Sequence, residues 1–395
     1  MDRNKIIVTL FAIGLYFISA GASYLFFSGK VTQGAVITPI AAPTTGANGS
    51  LAFDQSLPKT QACPINGELY SKQQEAWWQK HRPLGVMIEN QVEARPQSGL
   101  TSADTVYEAV AEGGITRFLA VFYCQDAGIV GPVRSARTYF IDFISEYGTS
   151  PLYAHVGGAN QPGPADALGQ LTDYGWTNYN DLNQFSFVDL TFYRDYSRLK
   201  LPNGQDVATE HTMYSTTTGL WDYAAKYRKL TNVDPNGTSW DSTFVPYQFT
   251  NDAPLSQRPA SQTIHLEFWP SMGSDYFVDW VYDPKTNLYK RFEAGNPQTD
   301  KDNGKQIESK DIIVLNMDEQ NAEDGYVAND HLLYSDKGSG TAVVFKDGKR
   351  INATWTKQSR TSRTILTDAS GNQIKFDRGQ MWFEILPPEG ILTVK

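Results

Sequence analysis

Short apolar runs separated by polar segments fill the chain from about residue 64 to about residue 230. A continuous apolar run of about four to eight residues with turn signals at its ends is typical of a buried strand. The strands predicted on this basis lie at 83–88, 116–123, 129–133 (broken by Gly131-Pro132) and 152–156. Helical periodicity predicts helices at 139–147, 164–172 and 216–230. This alternation is typical of an α/β domain with a mixed sheet.

A further helix is predicted between residues 102 and 112. Thr101 or Ser102 would be its N-cap residue, and Gly113-Gly114 would end it. The apolar side chains on its buried face would be Val106, Ala109 and Val110.

Strand patterns without helical periodicity occupy the chain from about residue 258 to its end. The predicted strands are 263–269, 276–282, 288–292, 311–317, 341–345, 351–356, 364–367, 374–376 and 381–386. Polar turns at 346–349 and 369–372, each between apolar runs, predict hairpins. We therefore expect an α+β protein, in which an N-terminal α/β domain with a mixed sheet is followed by a mostly antiparallel β domain.

The N-terminal segment predicts the compartment. Ile6 to Phe27 contains no charged residue and would be about 33 Å long as a helix, enough to cross a bilayer core. Arg3 and Lys5 precede it, which predicts a single-pass protein with a cytoplasmic N-terminus and an extracytoplasmic body. A cleavage site at Ala20-Gly21-Ala22 is the alternative, but the apolar run continues past it and favours a retained anchor.

Composition along the chain divides it into four predicted segments. They are a transmembrane anchor at 1–30, a flexible linker at 31–62, the α/β domain at 63–235 and the β-rich domain at 236–395. The linker is assigned because 34–56 is rich in Gly, Ala, Thr, Ser and Pro and has hardly a charge.

Net charge and motifs exclude several classes of function. The formal net charge of −9 repels phosphate backbones, so no nucleic-acid partner is expected. The five histidines do not lie at metal-ligand spacing, and we find no P-loop, Rossmann glycine turn, His-Glu-x-x-His or Gly-x-Ser-x-Gly motif. We therefore expect no metal and no cofactor. Cys63 and Cys124 would be either a disulfide or two buried thiols.

The segment Gly131-Pro132-Val133-Arg134-Ser135-Ala136-Arg137 passes from a predicted strand to a predicted helix. Arginine forks suit carboxylate or phosphate, and Arg117 on the neighbouring strand would join Arg134 and Arg137. Together with Ser135 these groups predict an anion-binding site. The alternative is that the arginines pair with acids of the chain itself, namely Glu89, Glu108 and Glu112.

Two further segments would border this site, because ligands of open α/β sheets bind at the carboxyl ends of strands. One is the loop after the first strand, and the other is the end of strand 152–156, where His155 lies. The ligand-binding candidates that these segments and their surroundings add are Glu89, Asn90, Arg95, Ser98, Glu112, His155 and His211. A histidine here would be an acid or base, or a structural group hydrogen-bonded to the backbone.

Several of these motifs, in this order, resemble the YerB-like family of bacterial lipoproteins. They are Arg82 to Asn90, Ala94 to Leu100, Ala103-Asp104, Val106 to Glu108, Glu112 to Phe118, Gly131 to Arg137 and His155 to Gly158. The resemblance extends from about residue 80 to the C-terminus and implies a second, β-rich domain and an envelope location. It implies no activity, because the family has no known function. The chain lacks the lipidated cysteine of the family, which favours the transmembrane helix as the anchor.

Three functions are compatible with these observations. The first is a binding module for an anionic cell-envelope ligand through Arg117, Arg134 and Arg137. The second is an envelope phospho- or glycan-transferase, which needs a carboxylate such as Glu89, Asp104 or Glu112 beside the arginines. The LytR–CpsA–Psr phosphotransferases are a fold-level analogy only. The third is an envelope scaffold with no small ligand.

Overall fold

The structure is a computed structural model and describes residues 2–28, 41–46, 49–326 and 331–395. The chain divides into two compact units, Met1–Ala41 and Ala42–Lys395. In the predicted linker, residues 31–40, 47 and 48 lie outside the described residues, whereas Lys59–Ala62 forms a strand.

The first unit contains one described helix, α1, Arg3–Ser28. Its window Arg3–Phe26 is long and apolar enough to cross a membrane by length and composition, and none of it is buried inside the protein. Apolar side chains cover the helix on all sides, which is typical of a span rather than of a surface helix of a globular protein.

The second unit contains the remaining described helices, which are all short. The α-helices are α2 Lys72–Trp78, α3 Thr138–Ile144, α4 Ala167–Asp173 and α5 Thr217–Tyr223, the last continued by a π-helical turn at Ala224–Arg228. The 3₁₀ turns are Val92–Ala94, Leu100–Ser102, Gln184–Ser186, Thr209–His211, Trp240–Thr243, Leu255–Gln257, Pro270–Met272 and Ser274–Tyr276.

Strands make up most of the second unit. The strands of its first half are β1 Thr44–Thr45, β2 Leu51–Ala52, β3 Lys59–Ala62, β4 Leu69–Ser71, β5 Leu84–Glu89, β6 Thr105–Glu112, β7 Ile115–Phe122, β8 Ile129–Val130, β9 Leu152–His155, β10 Asp181–Asn183, β11 Tyr193–Arg194 and β12 Met213–Thr216. Those of its second half are β13 Phe249–Thr250, β14 Thr263–Glu267, β15 Val278–Asp283, β16 Leu288–Glu293, β17 Asn296–Pro297, β18 Glu308–Ser309, β19 Asp311–Asn316, β20 Glu319–Asn321, β21 Leu332–Tyr334, β22 Gly338–Lys346, β23 Lys349–Lys357, β24 Ile365–Asp368, β25 Phe376–Asp377, β26 Met381–Leu386 and β27 Ile391–Val394.

A mixed sheet of ten described strands crosses the whole second unit in the order β10-β9-β5-β7-β6-β26-β19-β22-β23-β24. The two halves of the chain meet at the parallel pair β6 and β26, where Thr105 is opposite Met381 and Glu108 is opposite Glu384. The strands at this junction are buried on both faces, since every residue of β26 and every residue of β6 except Glu112 is buried. A single hydrophobic core therefore extends across the predicted boundary at residue 235.

Different elements pack against the two faces of this sheet. On one face, Phe143 of α3 stacks on Tyr107, which also stacks on Phe383. On the other face, Trp280 of β15 contacts Trp382 edge to face, with ring centroids 5.2 Å apart. Trp280 belongs to a second, antiparallel sheet with the order β17-β16-β15-β14-β27. The fold class is thus the mixed α+β arrangement expected from the sequence.

The helix predicted at 102–112 is wrong, because Thr105–Glu112 is strand β6. Gly113 and Gly114 do not end a helix but form the turn between β6 and β7, in which Glu112 pairs with Ile115. Both glycines have positive φ, 54° and 79°, as a two-residue turn matched to strand twist requires.

Candidate functional site

The segment Gly131–Arg137 lies at the carboxyl ends of two neighbouring strands. Its backbone bonds to the end of β5, with Glu89 N donating to Pro132 O at 2.9 Å and Arg134 N donating to Met87 O at 3.0 Å. On its other side, Val156 N, just after β9, donates to Arg134 O at 3.0 Å. The segment thus continues the sheet between β5 and β9 and leads into α3.

Glu112 is the centre of the arginine cluster. Arg117 Nη2 donates to Glu112 Oε1 at 2.8 Å, and Arg137 Nη2 donates to Oε2. Burial acts to raise the pKa of Glu112, but Arg117, Arg137 and Arg134 together hold that pKa at about 2. The side chains of Arg117 and Arg137 are only 2% and 5% exposed. Two of the three predicted arginines are therefore neutralised inside the protein, as in the alternative given above.

Arg134 occupies the open side of the cluster, with a side chain 24% exposed. Its Nε lies 3.0 Å from Glu89 Oε1, an ion-pair distance, but makes no hydrogen bond there. Its two terminal nitrogens have no hydrogen-bond partner among the described residues. Ser135 beside it is half-buried, and its carbonyl accepts from Arg117 Nη1 at 2.9 Å.

Glu89 joins Arg134 to His211. His211 Nδ1 lies 2.8 Å from Glu89 Oε2, and its Nε2 lies 3.8 Å from Glu93. Burial acts to lower the pKa of His211, but the hydrogen bond to Glu89 and the negative charge of Glu89 together outweigh burial and raise that pKa. The His211 ring is therefore oriented by a buried carboxylate that also faces a guanidinium.

The other candidates of the first loop form a structural network. Asn90 donates to Glu293 Oε1 at 2.5 Å, and Arg95 donates to the Asn90 backbone carbonyl at 2.9 Å and to Asn90 Oδ1 at 3.2 Å. Ser98 accepts from Arg198 Nη2 at 2.7 Å. Asn90 and Arg95 connect the loop to Glu293 in the second half of the chain, and Ser98 connects it to Arg198.

His155 lies apart from the arginines and is fully buried. Its Nε2 is 2.6 Å from Asp181 Oδ1, and its Nδ1 is 2.6 Å from Gly157 O. Both ring nitrogens are thus occupied, the arrangement that the sequence analysis gave as the structural alternative.

Cys63 and Cys124 are joined in a disulfide. Asp104 lies beside it and accepts from the amides of Tyr123 and Cys124 at 2.7 and 2.8 Å. Although Cys63, Asp104 and Cys124 are close enough for a metal site, the bonded sulfurs offer no thiolate ligands.

Sequence analysis missed the partners that hold these candidates, namely Asp181, Arg198 and Glu293. Arg198 and Glu293 are about a hundred and two hundred residues from the loop that they contact. No local motif marks them, and only the folded chain brings them to this point.

Two family models match the chain. They are described as the N-terminal and C-terminal domains of a protein of unknown function (DUF3048), and they match residues 68–230 and 266–383. A relative from Bacillus subtilis (strain 168), named "Putative lipoprotein YerB", is 29% identical over 318 residues, which is 78% of this chain and 82% of the relative. The chain belongs to the YerB-like family. This confirms the resemblance expected from its motifs.

The fold agrees with that of a YerB-like structure. The crystal structure of the YerB protein from Bacillus subtilis matches with a TM-score of 0.65 and 26% identity, covering 85% of this chain and 100% of the other. The family is described as one of unknown function, so its membership assigns no activity to the arginine cluster.

Proposed function

We propose that this protein is a membrane-tethered, extracytoplasmic binding module that takes an anionic cell-envelope ligand at Arg134. Helix α1 supports the tether, with its basic flank in the cytoplasm and the body outside. The name of the relative, a lipoprotein, supports the same location for a differently anchored member of the family.

The open guanidinium fork of Arg134 is the observation that carries this proposal. Arg117 and Arg137 are closed on Glu112, whereas the terminal nitrogens of Arg134 have no hydrogen-bond partner in the described part of the chain. A planar fork with two free donors suits a carboxylate or phosphate held by two parallel bonds.

The surrounding charges favour an anion. Among the residues joined by these ion pairs, the three guanidiniums of Arg117, Arg134 and Arg137 face the two carboxylates of Glu89 and Glu112, while Glu93 lies near His211. This local excess lies in a chain whose net charge is −9. An anion at Arg134 is therefore attracted by the positive charge of the cluster, whereas the negative charge of the rest of the chain repels it.

Binding of phosphate-bearing probes to the full-length chain in nanodiscs tests the proposal. The probes are a poly(glycerol phosphate) oligomer and a polyprenyl phosphate placed in the nanodisc. We expect Arg134→Gln to weaken binding of one of them about ten- to hundredfold, the loss of about 1.5–3 kcal/mol for hydrogen bonds to a charged group. Arg350→Gln, an exposed arginine of β23, is the matched control and leaves the affinity unchanged.

Failure of both probes to bind, or equal affinities for wild type and Arg134→Gln, contradicts the proposal. Thermal unfolding of the variant separates binding from folding. Arg134→Gln removes the ion-pair partner of the buried Glu89 carboxylate, so its melting temperature should fall, and the affinities are compared at a temperature at which both proteins are folded.

A transferase is the second candidate, favoured by Glu89. The Glu89 carboxylate contacts both Arg134 and His211. His211, oriented by Glu89, would be a general base next to the guanidinium that binds the anion. Turnover of a phosphate-bearing probe by wild type and its loss in His211→Gln would support it, whereas binding without turnover supports the binding module.

A further inference from the structure

A polar cavity lies at the opposite end of β9 from the arginine cluster. Its volume is about 630 Å³, and it is bounded by the loop before β9, by Trp176 after α4, by residues 243 and 245, and by the turn between β23 and β24. It therefore draws on both halves of the chain. None of the site residues predicted from the sequence lines it.

The charges lining this cavity are all positive. Arg360 and Arg363 line it, and no aspartate or glutamate does. Beneath them, Glu146 is already occupied by Lys357 Nζ at 2.6 Å and by the amide of Thr364 at 3.0 Å. The positive charge is thus not cancelled by a carboxylate in the cavity wall.

Arg360 is the group that a ligand would meet. Its Nη1 donates to Ser145 Oγ at 2.9 Å, and its guanidinium lies 3.9 Å from the ring centroid of Tyr174. Its other nitrogens have no hydrogen-bond partner among the described residues. Because stacking and one hydrogen bond fix the plane of the guanidinium, its free donors point in a set direction.

Arg363 supports this group from below. Its side chain is 2% exposed and lies 3.9 Å from the centroid of Tyr247 and 4.8 Å from that of Tyr147. Its Nε and Nη2 make no hydrogen bond in the described structure, and its contact with Glu146 is long, at 3.4 Å. A buried guanidinium that is only partly compensated adds a positive potential to the floor of the cavity.

Hydroxyl groups form most of the remaining wall. They belong to Ser145, Thr149, Ser150, Thr243, Thr356, Thr361 and Ser362. Arg82 holds the loop that carries two of them, because its Nη1 donates to Thr149 O at 3.3 Å and to Ser150 O at 3.0 Å. Trp176 also lines the cavity, but only 6% of it is exposed. Hydroxyls both donate and accept hydrogen bonds, so this wall suits a ligand that is itself rich in hydroxyls.

We propose that this cavity binds an acidic saccharide, a sugar that carries a carboxylate or a phosphate. The acidic group bonds to the free donors of Arg360, and the sugar hydroxyls bond to the serine and threonine side chains. The site is independent of Arg134, so either proposal can fail without the other.

Titration of the full-length chain in nanodiscs, followed by saturation-transfer NMR of the sugar protons, tests the site, and inorganic phosphate, which has no carbon-bound proton, is measured by its displacement of the bound sugar. The probes are glucuronic acid, glucose 6-phosphate, glucose and inorganic phosphate. We expect at least one acidic sugar to bind about tenfold more tightly than both glucose and inorganic phosphate. Preference for glucuronic acid identifies a carboxylate as the anchor, and preference for glucose 6-phosphate identifies a phosphate.

Variants locate the binding. Arg360→Gln lowers the affinity for the acidic sugar about tenfold, and Thr361→Val, a change at an exposed residue, lowers it about threefold. Arg350→Gln on the same hairpin and Arg134→Gln at the other cluster leave it unchanged. Equal binding of glucose and the acidic sugars, binding of inorganic phosphate as tight as that of the sugars, or an unchanged affinity in Arg360→Gln would overturn the proposal.

Discussion

At the residue scale, Asp104 is a charged residue type that the fold keeps in its core. It is fully buried beside the disulfide and accepts hydrogen bonds from two backbone amides and from Asn66 Nδ2 at 2.8 Å. Burial raises its pKa to about 7, although the amides of Cys124 and Tyr123 oppose this shift. Asp104 therefore titrates near neutral pH in the folded state.

This shift makes stability depend on pH. In the unfolded chain Asp104 has its ordinary pKa of 3.8, so between about pH 4 and 7 the folded state holds a proton that the unfolded state has lost. The contribution of this proton to the free energy of unfolding is complete below pH 4 and is lost as the pH rises through 7. We expect the folding constant of wild type, relative to that of Asp104→Asn, to fall by up to about tenfold per pH unit in this window. Urea unfolding of both proteins at pH 4 to 8 measures the difference, and parallel curves would contradict it.

The sequence predicted which residues come together better than it predicted whether their side chains are free or paired. Arg117, Arg134 and Arg137 come together because their motifs flank the same strand ends. Whether each guanidinium would face solvent or Glu112 depends on side-chain distances of an ångström or two, which no spacing encodes. The residues of the cavity around Arg360 were missed because they come from four distant segments, none of which contains a motif.

At the element scale, alternation separated the strands of the second half well. The residues of β15 are alternately buried and partly exposed, and those of β16 follow the same period. A half-buried antiparallel strand leaves this period in the sequence. The sequence of strand β6 shows no such alternation, because seven of its eight residues are buried. The strand lies inside the sheet, between β7 and β26. A short apolar run of this kind cannot be told from a buried helix by periodicity, and the glycine pair after it is compatible with both.

Strand β16 also contributes a buried ion network that joins the two sheets. Arg291 is fully buried, with Nη2 2.7 Å from Glu108 of β6 and Nη1 3.1 Å from Glu384 of β26. Its guanidinium also lies 4.7 Å from the ring centroid of Trp382. Burial raises the pKa of Glu108 to about 8 against the opposing effect of Arg291.

Removal of Arg291 is expected to cost much more than removal of the whole network. Arg291→Met leaves two buried carboxylates unpaired and should destabilise the protein by about 3–5 kcal/mol. Adding Glu108→Gln and Glu384→Gln removes the buried charge and should restore at least half of this loss, because the glutamines can still accept from Thr116 and Trp280. Urea unfolding of the single and triple variants measures both values. A loss below about 1 kcal/mol in Arg291→Met would show that the network does not join the sheets.

At the scale of the whole molecule, the body from Ala42 to Lys395 is one compact unit in which both halves of the chain share a sheet. The predicted boundary at residue 235 follows a change in pattern and agrees in place with the gap between the two family matches. Pattern alone gives no sign that β26 lies beside β6, because that pairing joins residues more than 270 positions apart. The boundary therefore remains a prediction about sequence organisation and not about separate cores.

A crystal structure of residues 42–395 grown with a poly(glycerol phosphate) oligomer tests the central claim most directly. The proposed function predicts a phosphate whose oxygens lie about 2.7–2.9 Å from both terminal nitrogens of Arg134, while Arg117 and Arg137 stay on Glu112. Phosphate bound elsewhere, with the Arg134 fork folded onto Glu89, would contradict it.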